Sequence, residues 1–200
     1  MNANVMKTNN GKLLAAIVAM LMIVCAVAVV ASPTQAEPAE APVFSGDNAV
    51  VVNVTEAVDI DDLETLFDGA TTAADGTNYY EKGVLTVPTA GMIINLSANM
   101  GSEETPLDIT IDLYGDLKIV STNGSQVWIK AVTGSGKLID FRADNTVFQI
   151  DGNVTVNLDS AVGGIFSNRD VTIVTAAVYV TGGATLNVAQ EGSGTTWVNG

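Results

Sequence analysis

Polar and apolar residues alternate with a period of two along most of the chain beyond residue 83. Leu107, Ile109, Ile111 and Leu113 interleave with Asp108, Thr110, Asp112 and Tyr114. Val154, Val156 and Leu158 interleave with Thr155, Asn157 and Asp159, and Val171 and Ile173 with Asp170 and Thr172. Side chains on a strand point to opposite faces in turn, so this pattern predicts half-buried strands. Val50, Val52 and Val54 predict an earlier one. Turn-forming residues punctuate the runs at Asn123-Gly124, Gly134-Ser135-Gly136, Asp151-Gly152-Asn153, Gly163-Gly164, Gly182-Gly183 and Gly192-Ser193-Gly194. Between Val58 and Gly69 the period changes. Ile60, Leu63 and Phe67 recur at helical spacing, with acids crowding the first turn and Gly69 placed as the residue after the C-cap. One short amphipathic helix near 58–68 is expected, and no second one.

A different pattern governs the start. From Leu13 to Ala31 there is no polar residue, and 19 helical residues cover about 28 Å, enough to cross a bilayer. Lys7 and Lys12 precede this segment and Glu37 and Glu40 follow it, so the positive-inside asymmetry sends the body outward. Residues 1–36 are read as a signal peptide or an N-terminal membrane anchor, cleaved after Ala36 or retained. Two other leaders are weaker readings. Met22-Ile23-Val24 is a poor lipobox before Cys25, and Lys12 after Gly11 departs from a prepilin site. Residues 37–49 form a Pro- and Ala-rich linker, and 50–200 form the folded domain.

Charge and composition narrow the chemistry. Past the apolar segment the body holds 6 basic and 22 acidic residues, a net charge of −16 that repels nucleic acid and anionic membrane. The chain has no histidine, which excludes His-dependent triads and removes the commonest metal ligand. Its one cysteine, Cys25, lies in the apolar segment, so the body has neither a disulfide nor a thiolate metal site. Asp59, Asp61 and Asp62 lack the loop glycine and spaced ligands of an EF-hand. No metal and no cofactor is expected.

Two phrases recur through the strand region. One is a turn residue followed by a short apolar strand, as in Gly115-Asp116-Leu117-Lys118-Ile119, Gly136-Lys137-Leu138-Ile139, Gly152-Asn153-Val154-Thr155-Val156, Arg169-Asp170-Val171-Thr172-Ile173 and Gly183-Ala184-Thr185-Leu186. The other is an aliphatic–aromatic pair: Val127-Trp128, Val147-Phe148, Ile165-Phe166 and Val178-Tyr179. Spacings of roughly 13 to 21 residues suit the coils of a β-solenoid. With the strand and helix of Val50 to Gly69 in front, this order of parts resembles the right-handed parallel β-helix (pectate-lyase-like) modules of microbial surface and adhesin-like proteins. The resemblance spans about Val50 to Gly200 through degenerate motifs. It implies an all-β solenoid with a capping helix. No C-terminal cap is visible before Gly200, which implies either a short solenoid or a last coil that pairs with another chain. The rival fold is an antiparallel β-sandwich, because Asn123-Gly124 between alternating runs is a strong hairpin signal.

The resemblance also implies what the residues could do. In polysaccharide lyases of this type an Arg beside acids abstracts a proton, which draws attention to Asp140, Arg142 and Asp144; these share a face if 137–145 is one strand. Asp108 with Asp112, or Asp112 with Asp116, would be a carboxylate pair for glycoside hydrolysis. Alternating strands make such pairs without any chemistry, and the expected reading of the Arg142 group is a solvated face of paired charges. Trp128 and Tyr179 are expected to point outward, where a ring could contact a sugar, and Phe148 inward, while Phe166 and Trp197 stay undecided. Sequons stand at Asn53, Asn95, Asn123 and Asn153. The expected function is a non-catalytic exported surface protein, adhesin-like or structural in the envelope, with glycans or other cell-surface components as partners. The membrane is a further partner if the leader is uncleaved, and self-association is open. Two alternatives are kept: a β-helix polysaccharide lyase or hydrolase, and a β-sandwich subunit of a surface filament.

Overall fold

In the computed structural model, Val52 and Val54 point inward from strand β1 (Val50–Val54) and are almost fully buried. The structure describes residues 43–131, 137–160, 164–168 and 175–190, within one unit, Ala41–Gly200. The strands are β2 (Tyr80–Glu81), β3 (Val84–Val87), β4 (Met92–Leu96), β5 (Thr110–Leu113), β6 (Leu117–Ala131), β7 (Lys137–Phe141), β8 (Thr146–Ser160), β9 (Gly164–Asn168), β10 (Ala176–Thr181) and β11 (Thr185–Gln190). They form two sheets. One runs β1-β4-β6-β8-β10, with β11 also paired to β8, and the other runs β2-β3-β5-β7-β9. Every pairing between named strands is parallel except β2 with β3. This is a parallel β-solenoid of about three turns. The parallel registers overturn the β-sandwich and with it the sandwich filament subunit.

The registers stack like on like. Val52, Ile94, Ile119, Ile150 and Val180 form one column, and Leu85, Ile111, Ile139 and Phe166 another in the second sheet. No single coil could enclose these side chains, but stacked coils can. Each fully buried Leu, Ile, Val or Phe contributes about 1.5–3 kcal/mol of burial. Phe148 is in the core as expected, and Phe166 joins it.

Partners in successive turns are 25, 31 and 30 residues apart in the first sheet (Met92 with Leu117, Leu117 with Phe148, Thr146 with Ala176). The 13-to-21 spacing therefore counted arms, not turns. Gly152 opens the second arm of β8 and Gly136 precedes β7, so the same phrase occurs more than once per coil.

Asn123-Gly124 does not close a hairpin. It lies within β6, whose residues on both sides of a register break at Ser121/Ser125 pair in parallel with β8. Gly124 has φ +87°, the left-handed conformation that Asn-Gly supplies to a hairpin, used here to bend one strand between two faces. Asn123 Oδ1 accepts from Ser125 Oγ (2.7 Å) and its Nδ2 donates to the Ser97 carbonyl (2.8 Å), while Ser121 Oγ donates to the Leu96 carbonyl (2.9 Å). Buried hydroxyls are thus tied into the corner.

The expected helix is shorter and broken. Asp59 caps a 3-10 turn, Ile60–Asp62, through a capping box with Asp62, and a single α-helical turn, Leu63–Leu66, follows. Leu63 and Phe67 are buried, but Ile60, on the turn before them, stays 39% exposed and leaves the predicted apolar face. Gly69 ends nothing. It begins a second helical turn, Gly69–Thr72, capped by Asp68 Oδ1 accepting from Ala70 N (2.8 Å), where a Cβ would meet the Thr77 carbonyl. The phrase at Arg169–Ile173, the turns at 134–136 and 192–194, Gly163, Trp197 and the whole leader lie outside the described residues. No helix among the described residues is long and apolar enough to cross a membrane.

Candidate functional site

The Arg142 group assembles differently from its sequence spacing. β7 ends at Phe141, so Asp144 falls in the following turn, where its carboxylate accepts from Thr175 N and Oγ1 (2.8 Å each). In its place the register brings Asp112 beside Asp140, and Ser167 beside Asp140 on the other side. Arg142 donates from Nη2 to Asp112 Oδ2 and lies through Nε against Asp140 Oδ2, both at 2.7 Å. Lys137 pairs with Asp140 and stands 3.9 Å from Asp112. Ser167 Oγ donates to Asp140 Oδ1 (2.8 Å).

Asp140 is fully buried and Lys137 nearly so, which corrects the solvated face expected from sequence. Two cations and two carboxylates balance one another there, as burial of charge requires. The Arg142 guanidinium is engaged by both carboxylates, through Nη2 to Asp112 and Nε to Asp140, which fixes its orientation.

The proposed carboxylate pairs are also divided. Asp112 belongs to Arg142. Asp116 accepts from Ser45 N (2.7 Å) through one oxygen and from Val147 N (2.9 Å) through the other, fastening the end of the linker to the solenoid. Asp108 is partly exposed and lies just before β5, the strand that carries Asp112.

Trp128 lies on the second arm of β6. Val127 and Ile129 turn inward, so Gln126, Trp128 and Lys130 turn outward, as alternation predicts. The indole is partly exposed, and its Nε1 donates to Gln126 Oε1 (3.1 Å), which sets its orientation. In the next turn Asn157 sits in register with Trp128, and in the one after Asn187 sits in register with Asn157. Asn187 Nδ2 donates to Asn157 Oδ1 (2.8 Å), and Asn157 Nδ2 to the Val127 carbonyl (3.3 Å). Lys130 pairs with Asp159 at 2.8 Å alongside this ladder.

The segment from Met100 to Leu107 pairs at both ends with the Trp128 arm and raises a loop containing Glu103 and Pro106 beside it. The result is a cleft of about 320 Å³ combining an indole, proline and valine surfaces, amides and an ion pair. Clefts of roughly 300 Å³ and upward hold small ligands. Only Trp128 was visible from the sequence. Asn157 and Asn187 repeat at the spacing of one turn, a signal that becomes readable once the period near 30 is known.

Tyr179 does not join this cleft. It pairs in register with Gln149, itself in register with Lys118, on the first arms of their strands and across the Ser121–Ser125 corner from Trp128. The sequons separate likewise. Asn95 Nδ2 donates to Asn53 Oδ1 (3.0 Å) across adjacent strands, Asn123 is built into the corner, and Asn153 is exposed.

Three of the described groups with shifted acidities are held by partners in the fold. Lys118 and Thr181 beside Asp151 hold its carboxyl below the usual range. Burial, reinforced by Asp75, pushes the Tyr79 phenol up to about 12, and the hydrogen bond from Tyr79 lowers Asp75 in turn. None of the three lines the Trp128 cleft. Comparison with protein-family models, with curated proteins and with solved structures finds no match.

Proposed function

We propose that the chain is a non-catalytic, exported surface β-solenoid, adhesin-like or structural in a cell envelope, that contacts glycan through the Trp128 cleft. The observation that carries this reading is the oriented, partly exposed indole beside an amide ladder and an ion pair, all on stacked strands. Sugars offer one apolar face and a rim of hydroxyls. An aromatic plane with fixed donors and acceptors matches both. The apolar segment Leu13–Ala31 supports an outside location, and the order of strand, helix and coils supports kinship with adhesin-like β-helix modules.

The reading predicts that the full chain binds an oligosaccharide on a glycan array and by calorimetry. Trp128→Ala should weaken binding about tenfold or more, a loss of roughly 1.4 kcal/mol, while Tyr179→Ala, on another face, leaves it unchanged. Equal binding by wild type and Trp128→Ala would remove the cleft from the proposal. Turnover of an acidic or neutral glycan that disappears in Arg142→Ala would replace it with a polysaccharide lyase or hydrolase.

A further inference from the structure

Lys137 carries the most deeply placed ammonium among the described residues. Its side chain is 8% exposed, against 23% for Lys118 and 26% for Lys130. Lysine is almost never buried unless paired, and its partner Asp140 is buried still further, at 1%. Both sit on β7, three residues apart, with Lys137 Nζ against Asp140 Oδ2. From the next turn Ser167 Oγ donates to Asp140 Oδ1 (2.8 Å), and Arg142 Nε lies 2.7 Å from Oδ2. From the preceding turn Asp112 Oδ1 stands 3.9 Å from Lys137 Nζ.

These are the parts of a condensation. An ammonium and a carboxylate in contact become an amine and a carboxylic acid when one proton moves between them. Burial favours that transfer because it discharges both groups. The amine is then a nucleophile fixed against its target, so bond formation is an intramolecular step rather than an encounter. Donors on Oδ1 and Oδ2 match the charge that develops as Cγ becomes tetrahedral. Asp112 is a second carboxylate beside the nitrogen, and acid–base contacts of this kind tighten as reaction proceeds.

We infer that Lys137 and Asp140 are the two partners of an intramolecular isopeptide bond, formed with Asp112 as the acid–base group. The ammonium first gives a proton to Asp140 Oδ2. The amine attacks Asp140 Cγ, Asp112 takes a proton from the nitrogen, and it returns that proton to Oδ2, which leaves as water. The Nζ–Cγ bond forms, the Cγ–Oδ2 bond breaks, Oδ1 stays as the amide carbonyl, and Asp112 ends ionised as it began. No oxidant or co-reactant is needed. One charge of each sign disappears, which leaves Arg142 and Asp112 as a balanced pair. In a body without cysteine, the bond is a covalent clasp that no disulfide can supply.

The test is mass spectrometry of the full chain, intact and after trypsin. Unlinked protein is cut after Lys137 and releases Leu138–Arg142 as a separate peptide. Linked protein resists that cut and yields one peptide, Ala131–Arg142, lighter than its sequence by one water. The linked peptide is expected from the purified chain, and Lys137→Arg should abolish it. Asp112→Asn should slow linkage about a hundredfold, read as the linked fraction against time after cell-free synthesis. If Asp112→Asn loses its far-UV circular dichroism signal, the wild-type and Lys137→Arg peptides still decide whether the bond exists. Release of full-mass Leu138–Arg142 from the folded wild type overturns the proposal. So does a water loss that persists in Lys137→Arg, which would mark a cyclised aspartate instead. Linkage at the wild-type rate in folded Asp112→Asn overturns the assignment of Asp112.

Discussion

A close approach between turns occurs at the corner, and it gives a sharp test of the stacking. Gly152 stacks on Ser121 with φ +81°, and a Cβ there would lie 2.2 Å from the Ser121 carbonyl oxygen. Gly183 shares the left-handed backbone, φ +91°, but a Cβ on it would meet nothing within 4 Å. Alanine at either site bears the left-handed penalty of about 1–2 kcal/mol. Gly152→Ala must in addition push two backbones apart by about 1 Å, an overpacking cost of about 1–3 kcal/mol. The Ser121 strand cannot yield easily, because its hydroxyl is bonded to Leu96 and Asn123 beside it to Ser97. Displacing the ladder there loses about 1 kcal/mol per weakened hydrogen bond. With one weakened hydrogen bond the expected totals are about 3–6 kcal/mol for Gly152→Ala and about 1–2 kcal/mol for Gly183→Ala. Equilibrium urea unfolding of the full chain, followed by far-UV circular dichroism, measures both. Losses equal within about 0.5 kcal/mol, inside the scatter of ordinary surface changes, would refute the close stacking of Gly152 on Ser121.

Further consequences are measurable in the same unfolding experiment. Asp140→Ala breaks a buried ion cluster and should cost about 3–5 kcal/mol, whereas Lys130→Ala, in a more accessible pair, should cost no more than about 1 kcal/mol. Asn123→Ala removes the corner's amide and should cost about 1–3 kcal/mol. The Tyr79 phenol has a folded pKa of about 12 against an ordinary 10.0. Its contribution to stability is therefore complete below pH 10 and lost as pH rises from 10 toward 12, a slope that Tyr79→Phe should remove. Asp151 has the opposite sign. Its folded carboxyl titrates below the ordinary 3.8, so its contribution is present above that value and lost as pH falls through the lower one. Asp151→Asn should flatten that acid limb.

Alternation resolved the facing of side chains but not their neighbours. The parity of Leu107 to Leu113, of Val154 to Leu158 and of Trp128 against Val127 is what the fold uses, because a strand's two faces are a local property. Register is not local. Parallel pairing between the strands joins residues 25 to 42 positions apart, and the corner shifts the offset from 31 up to Ser121 to 29 from Ser125 within a single pair of strands. No fixed repeat could therefore be read from the turn phrases. Asn123-Gly124 was misleading for a related reason, since the dipeptide encodes a positive φ and not the direction the chain takes afterward.

The same distinction decides how charge should be read in a solenoid. Asp140 and Arg142 were visible as neighbours, and within one strand they look like surface decoration. Their burial follows from Asp112, 28 residues earlier in register with Asp140, and from Lys137, whose ammonium reaches Asp140. One isolated coil would leave these groups in water, where each pair is worth under about 1 kcal/mol. Stacking removes the water and makes the same ionic groups mutually obligatory, so breaking one pair is strongly destabilising. Trp128 follows the same rule in a different chemistry. Alone it is one outward ring on a strand; stacked against Asn157 and Asn187 it becomes one wall of a cleft whose polar partners come from later turns. In this chain a residue's role is set by its column across the turns more than by its neighbours along the chain. Substitutions should therefore be paired across a register of about 30 residues: Trp128 with Asn157, and Asp112 with Asp140. Double-mutant cycles on these pairs should give coupling energies above about 0.5 kcal/mol, whereas Trp128 with Tyr179, on separate arms, should be additive.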